Sequence, residues 1–109
     1  MSRRTEQVAE LLRQEINNVI IKDFESRGYL VSVAQTTVSP DLKNATAYLS
    51  IIPANKIGTG LAAIKKFGGH IQKEINKHLT MRSIPRIRWE IDNRDLKYKE
   101  IDDALNDSK

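Results

Sequence analysis

Apolar positions recur along this chain at two periods, and the change from one to the other lays out its elements. From about Arg4 to Lys22, the side chains Val8, Leu11, Leu12, Ile16, Val19 and Ile20 fall on one face of a helix. Glu6, Glu10, Arg13, Gln14 and Asn17 occupy the opposite face, and acidic residues near the start with Lys22 at the end suit the helix dipole. The polar stretch Asp23 to Gly28 ends on glycine and reads as a helix exit. Tyr29 to Ser39 is rich in β-branched residues and reads as a strand with a fault: Val31 and Val33 share one parity and Val38 the other. An uncorrected slip would turn side chains to the wrong face, so a bulge is predicted near Ala34 to Thr36. Ser39-Pro40-Asp41-Leu42-Lys43-Asn44 carries turn chemistry and leads into a second strand, Ala45 to Ile52, making an antiparallel hairpin. Ala45, Ala47, Leu49 and Ile51 share one side of that strand, which puts Tyr48 on the wet face or at the sheet edge.

The longest apolar pattern runs from Leu61 to Leu79. Leu61, Ile64 and Phe67 keep a three-residue step, after which Phe67, Ile71, Ile75 and Leu79 recur every four. Gly68 and Gly69 stand in its middle, and each interior glycine costs about 1 kcal/mol relative to alanine. The expectation is two helices meeting at a kink formed by Phe67, Gly68 and Gly69. Pro53 closes the preceding strand, Asn55 to Gly60 reads as a flexible loop, and Thr59 is the expected N-cap. Arg82-Ser83-Ile84-Pro85 ends the second helix. Ile87, Trp89 and Ile91 then alternate with Arg86, Arg88 and Glu90 as a half-buried strand. Trp89, in phase with its apolar neighbours, is expected to pack in the core rather than to stack on a base. Asn93 to Lys109 is mostly polar, with Leu96, Ile101 and Leu105 as a candidate short docking helix.

A strand that returns through helices to another strand forms a parallel pair with it. The predicted fold is therefore α+β: a three-stranded mixed sheet with helices packed on one face, in the order α-β-β-α-kink-α-β. Residues 1–94 form the folded domain of this reading, and 95–109 a polar, acidic C-terminal tail. A hydrophobic fraction of 39% over 109 residues suffices for one modest core.

Charge adds a partner class. The net charge is +4, and residues 1–54 contribute nothing to it, with six basic side chains against six acidic. Residues 55–90 carry eight basic side chains against Glu74 and Glu90, while 91–109 carry four against six acidic. The excess thus sits on the glycine-centred helices and the strand after them, where Lys66, His70, Lys73 and Lys77 step along one flank. Concentrated positive charge points to a polyanion, most often nucleic acid, against the plainer reading of solubilising lysines. The candidate RNA-binding residues are Lys65, Lys66, Lys73, Lys77, Arg82, Arg86 and Arg88.

Other chemistry finds little support. With no cysteine, disulfides and thiolate chemistry are excluded. The stretch from Met1 lacks the apolar run of a signal peptide and no run approaches a membrane span, so a soluble cytoplasmic protein is expected. His70, Glu74 and His78 lie at i, i+4 and i+8, but the outer two are more than about 10 Å apart along a helix, too far for one ion to join all three. A solvated flank is the better reading of that trio, and neither a metal nor a cofactor is expected. No serine, histidine and acid share a nucleophile context, and no phosphate-binding glycine motif precedes a helix, so a non-enzymatic protein is expected; it is read as a monomer.

The element order is that of a type II KH-like domain, and particular residues carry the likeness further. Val38-Ser39-Pro40-Asp41-Leu42-Lys43-Asn44-Ala45-Thr46-Ala47-Tyr48-Leu49-Ser50 resembles the hairpin signature of the ribosome-binding factor A family. Val8-Ala9-Glu10 through Glu15-Ile16 is similar to that family's first helix, and Arg82 through Trp89 to its approach to the last strand, so the likeness covers about residues 4–92. The resemblance implies a factor that binds the free or immature small (30S) ribosomal subunit, supports late maturation of its 16S rRNA, and helps growth in the cold, without catalysis. Many KH domains hold single-stranded backbone with a Gly-x-x-Gly loop, a spacing this chain lacks. The family carries Ala-x-Gly at its kink, matched here by Phe67, Gly68 and Gly69, with Phe67 replacing a small residue. Recognition is then expected to rest on phosphate contacts and shape. A second reading is a KH-like protein–protein interaction module without direct RNA contact, its kinked helices and wet strand face meeting a folded partner.

Overall fold

The computed structural model describes residues 3–81 and 83–92. Helix α1 spans Arg3–Asp23 and buries Thr5, Ala9, Leu12, Ile16, Val19 and Ile20, a single stripe at three- and four-residue steps. Strand β1, Leu30–Val38, pairs antiparallel with β2, Asn44–Ile52, and β2 pairs parallel with β3, Arg86–Ile91, in the order β1-β2-β3. The α+β architecture is the expected one. The register slips between Val33 and Gln35, at the predicted bulge. The extra residue there, Ala34, is what lets Val33 before it and Thr36 and Val38 after it all be buried.

The hairpin loop is tied from within. Asp41 Oδ1 accepts from the Ser39 hydroxyl and from the Lys43 N–H at 3.0 Å, and Ser39 Oγ accepts the Asn44 N–H at 3.0 Å. Those bonds hold Leu42 at φ 61°, in the left-handed region. The Ser39 hydroxyl, followed by the Lys43 amide, holds the Asp41 carboxyl below its ordinary value.

Three expectations for the second half are corrected. Asn55 to Gly60 is not a loop: Ala54–Lys56 form a 3-10 turn that runs directly into helix α2, Ile57–His78. Thr59 is not the N-cap, because the chain enters α2 already wound, with Lys56 at the cap position and the Ile57 N–H donating to Ala54 O. Nor is there a pair of helices, since α2 is one helix of 22 residues across Phe67, Gly68 and Gly69. Its buried Ile64, Ile71 and Ile75, at about 1.5–3 kcal/mol each, outweigh the roughly 2 kcal/mol of two interior glycines. Gly68 answers to packing instead: a Cβ there would lie 2.7 Å from Trp89 Nε1. Gly60 does likewise, where a Cβ would lie 2.8 Å from Ile51 Cδ1. Small residues at these points let α2 lie close on the sheet.

The core lies between the helices and one sheet face, with Leu12, Ile16, Leu49, Ile64, Ile71 and Ile75 fully buried. Each outer strand is also bonded to a helix amide. Asn17 of α1 donates to Val33 O at 3.1 Å and accepts its N–H at 2.7 Å, beside the bulge. Gln72 of α2 donates to Pro85 O at 3.2 Å and accepts the Ile87 N–H at 3.0 Å. Each side-chain amide thereby satisfies two backbone groups on an outer strand of the sheet. The expected segment around Leu96, Ile101 and Leu105 lies outside the described residues. No described helix is long and apolar enough to cross a membrane.

Candidate nucleic-acid interface

Helix α2 presents its cations in two directions. Lys66, Lys73 and Lys77 are separated by seven and four residues, which keeps them on one stripe, and all three are exposed. His70, read in sequence as part of that flank, turns toward the end of α1, with Nε2 2.9 Å from Asp23 Oδ2. Lys77 sits 3.6 Å from Glu74, an exposed pair of small energetic weight.

Lys65 lies about a quarter turn round from Lys66, on the side facing β3. It lines an open groove of about 560 Å³ between α2 and β3, together with Gly68, Gly69, Gln72, Asn76, Ile84, Arg86, Ile87 and Trp89. The groove follows from the local sequence. Two successive glycines leave the helix without side chains there. A Cβ at Gly69 would meet nothing within 4 Å, whereas one at Gly68 would strike the indole of Trp89. Gln72 holds β3 at that distance from α2 by its bonds to Pro85 and Ile87. Lys65 and Arg86, both exposed, set positive charge at the rim. The groove therefore offers glycine backbone, amide side chains and one aromatic ring, with Lys65 and Arg86 also among its lining residues. That is the chemistry of a cleft for a polyanionic backbone with room for a stacked ring.

The remaining candidates lie elsewhere. Arg88 is exposed on the sheet face away from the helices, level with Thr46 of β2. Tyr48 shares that face, in register with Gln35 on one side and Glu90 on the other. Arg82 lies outside the described residues. The six described candidates thus divide into a ridge (Lys66, Lys73, Lys77), the groove (Lys65, with Arg86 at its β3 end) and the open sheet face (Arg88, whose strand parity Arg86 shares). Trp89 is half-buried, packed against Gly68 and lining the groove at once. Gln72 and Asn76 were missed in sequence; the available signal was that they follow Gly68 by four and eight residues, close to one helix face.

Comparison with known proteins places this arrangement. The family model for ribosome-binding factor A matches residues 4–105. A ribosome-binding factor A of Akkermansia muciniphila is 33% identical over 93 residues, covering 85% of this chain and 74% of the relative. The crystal structure of ribosome-binding factor A from Thermus thermophilus superposes with a TM-score of 0.70 at 16% identity, over 80% of this chain and 94% of that one. Thermus thermophilus ribosome-binding factor A coordinates fitted into the cryo-EM map of a 30S complex give a TM-score of 0.67 at 16% identity, over 79% of this chain and 92% of that one. Sequence and fold agree, and the chain belongs to the ribosome-binding factor A family.

Proposed function

We propose that this protein is a non-catalytic assembly factor that binds the free or immature small ribosomal subunit and supports late maturation of its 16S rRNA, including during growth in the cold. The observation that carries this reading is the glycine-floored groove rimmed by Lys65 and Arg86, beside the exposed Lys66–Lys73–Lys77 ridge, in a member of this family. The likeness to a relative fitted into a 30S complex supports it. Ridge lysines meet phosphates as point charges. The groove, which has no Gly-x-x-Gly loop, takes backbone and shape rather than a base sequence.

The test is binding to purified small subunits over a salt series. With about four phosphates neutralised, log affinity falls against log salt with slope roughly −3 to −4. Replacing Lys66 and Lys73 by glutamate flattens that slope by about 2. A flat salt response would overturn the reading. It would favour the protein–protein alternative, for which the exposed cross-strand pair Leu30 and Ile52, at 70% and 61% accessibility, is the specific observation.

A further inference from the structure

We propose that Asp23, His70 and Glu74 form a zinc site that staples the end of α1 to the middle of α2. In sequence, His70 and Glu74 make an i, i+4 pair that needs a third ligand, and His78 is too far along the helix to supply it. The fold supplies Asp23, the last residue of α1 and 47 positions earlier in the chain. One donor atom from each of the three side chains lies within 4.8 Å of the others, and His70 Nε2 is 2.9 Å from Asp23 Oδ2.

A tetrahedral ion with bonds near 2.1 Å asks its ligands to stand about 3.4 Å apart, between the 2.9 Å of Asp23 and His70 and the 4.8 Å that bounds the set, so binding draws Glu74 in and parts the other two slightly. The imidazole is already oriented. Its ring lies against Phe67 with centroids 4.8 Å apart and planes tilted by 38°, and Phe67 packs on Phe24 at 5.2 Å, the residue after Asp23. An apolar wall thus stands beside the donor atoms, while the 42% accessibility of His70 leaves a side open for a water ligand. Two carboxylates neutralise the ion. The Lys77 ammonium near Glu74 is on a 61% exposed side chain and swings away at little cost. An imidazole with two carboxylates selects zinc over magnesium, which asks for six oxygens in octahedral array.

The experiment titrates zinc chloride into untagged, chelator-stripped full-length protein by calorimetry, in excess magnesium, and follows the thermal midpoint in parallel. One-to-one binding is expected. Asp23→Asn, His70→Ala and Glu74→Gln should each weaken it at least about tenfold, whereas His78→Ala leaves it unchanged. Zinc should raise the midpoint of the wild type and not that of Asp23→Asn, because the staple needs both helices; circular dichroism confirms that each variant is folded. The proposal is overturned if no zinc binds in excess magnesium, which leaves Asp23 and His70 as a hydrogen-bonded pair only, or if His78→Ala abolishes binding while the other three retain it.

Discussion

Gly68 and Gly69 are adjacent in one helix, yet their alanine variants should differ in sign. At position 69 a Cβ meets nothing within 4 Å, so Gly69→Ala gains the helix propensity of alanine, about 1 kcal/mol. At position 68 the same methyl lies 2.7 Å from Trp89 Nε1, and 3.5 Å from Cε2 of the same indole. The ring is rigid and held between α2 and the sheet, so it moves as a unit or pushes β3 away. Overpacking of this kind costs about 1–3 kcal/mol, which offsets the same propensity gain and leaves Gly68→Ala destabilised by about 0–2 kcal/mol. Urea denaturation followed by circular dichroism measures both variants. The single tryptophan of the chain is Trp89 itself, so its emission reports the contact directly. The expected result is a midpoint raised by roughly 4–8 °C for Gly69→Ala in thermal scans, with unchanged emission. Gly68→Ala should show an unraised or lowered midpoint and shifted emission. Equal shifts of the same sign in both variants would refute the reasoning, since a glycine pair serving only to bend the helix treats its two members alike.

Asn17→Ala removes both side-chain bonds to Val33 and leaves the backbone at the bulge unpaired, for an expected loss of about 1–3 kcal/mol. Urea unfolding checks the magnitude, and faster amide exchange at Val33 the location. Asp41→Ala has a pH signature. The folded carboxyl is held below its ordinary value by Ser39 and Lys43, so its contribution is fully present above the unfolded value of 3.8. That contribution is lost as pH falls through the lower folded value. The difference between wild type and variant in thermal midpoint should therefore be constant near neutrality and shrink only below about pH 4. Shrinkage between about pH 5 and 7 would contradict the assignment.

What could be read in the sequence was whatever a local period or parity encodes. The α1 stripe, the hairpin and the alternation of Arg86 to Ile91 are of this kind. So is the bulge, because Val33 and Val38 cannot share a face without it. The unbroken α2 could not be read, because the partner that makes Gly68 necessary is Trp89, on another element. Local propensity sees two weak helix formers, and tertiary packing overrides them. Asn17 reads as one more polar residue on a solvent face until β1 is placed beside it. For the interface, a spacing of seven and four correctly aligned Lys66, Lys73 and Lys77. Strand alternation already put Arg88 on the wet sheet face, whereas the placing of Lys65 beside β3 depended on where the third strand lies. Asp23 and His70 meet only through the fold, and no spacing rule reaches 47 residues.

The most direct measurement of the central claim is ultraviolet crosslinking of the protein bound to small subunits, with the modified peptides mapped by mass spectrometry. RNA adducts are expected on peptides from Lys65 to Lys77 and around Arg86 to Trp89, where ridge and groove meet. Adducts confined to α1, or protein–protein crosslinks at Leu30 and Ile52 with no RNA attached, would contradict it.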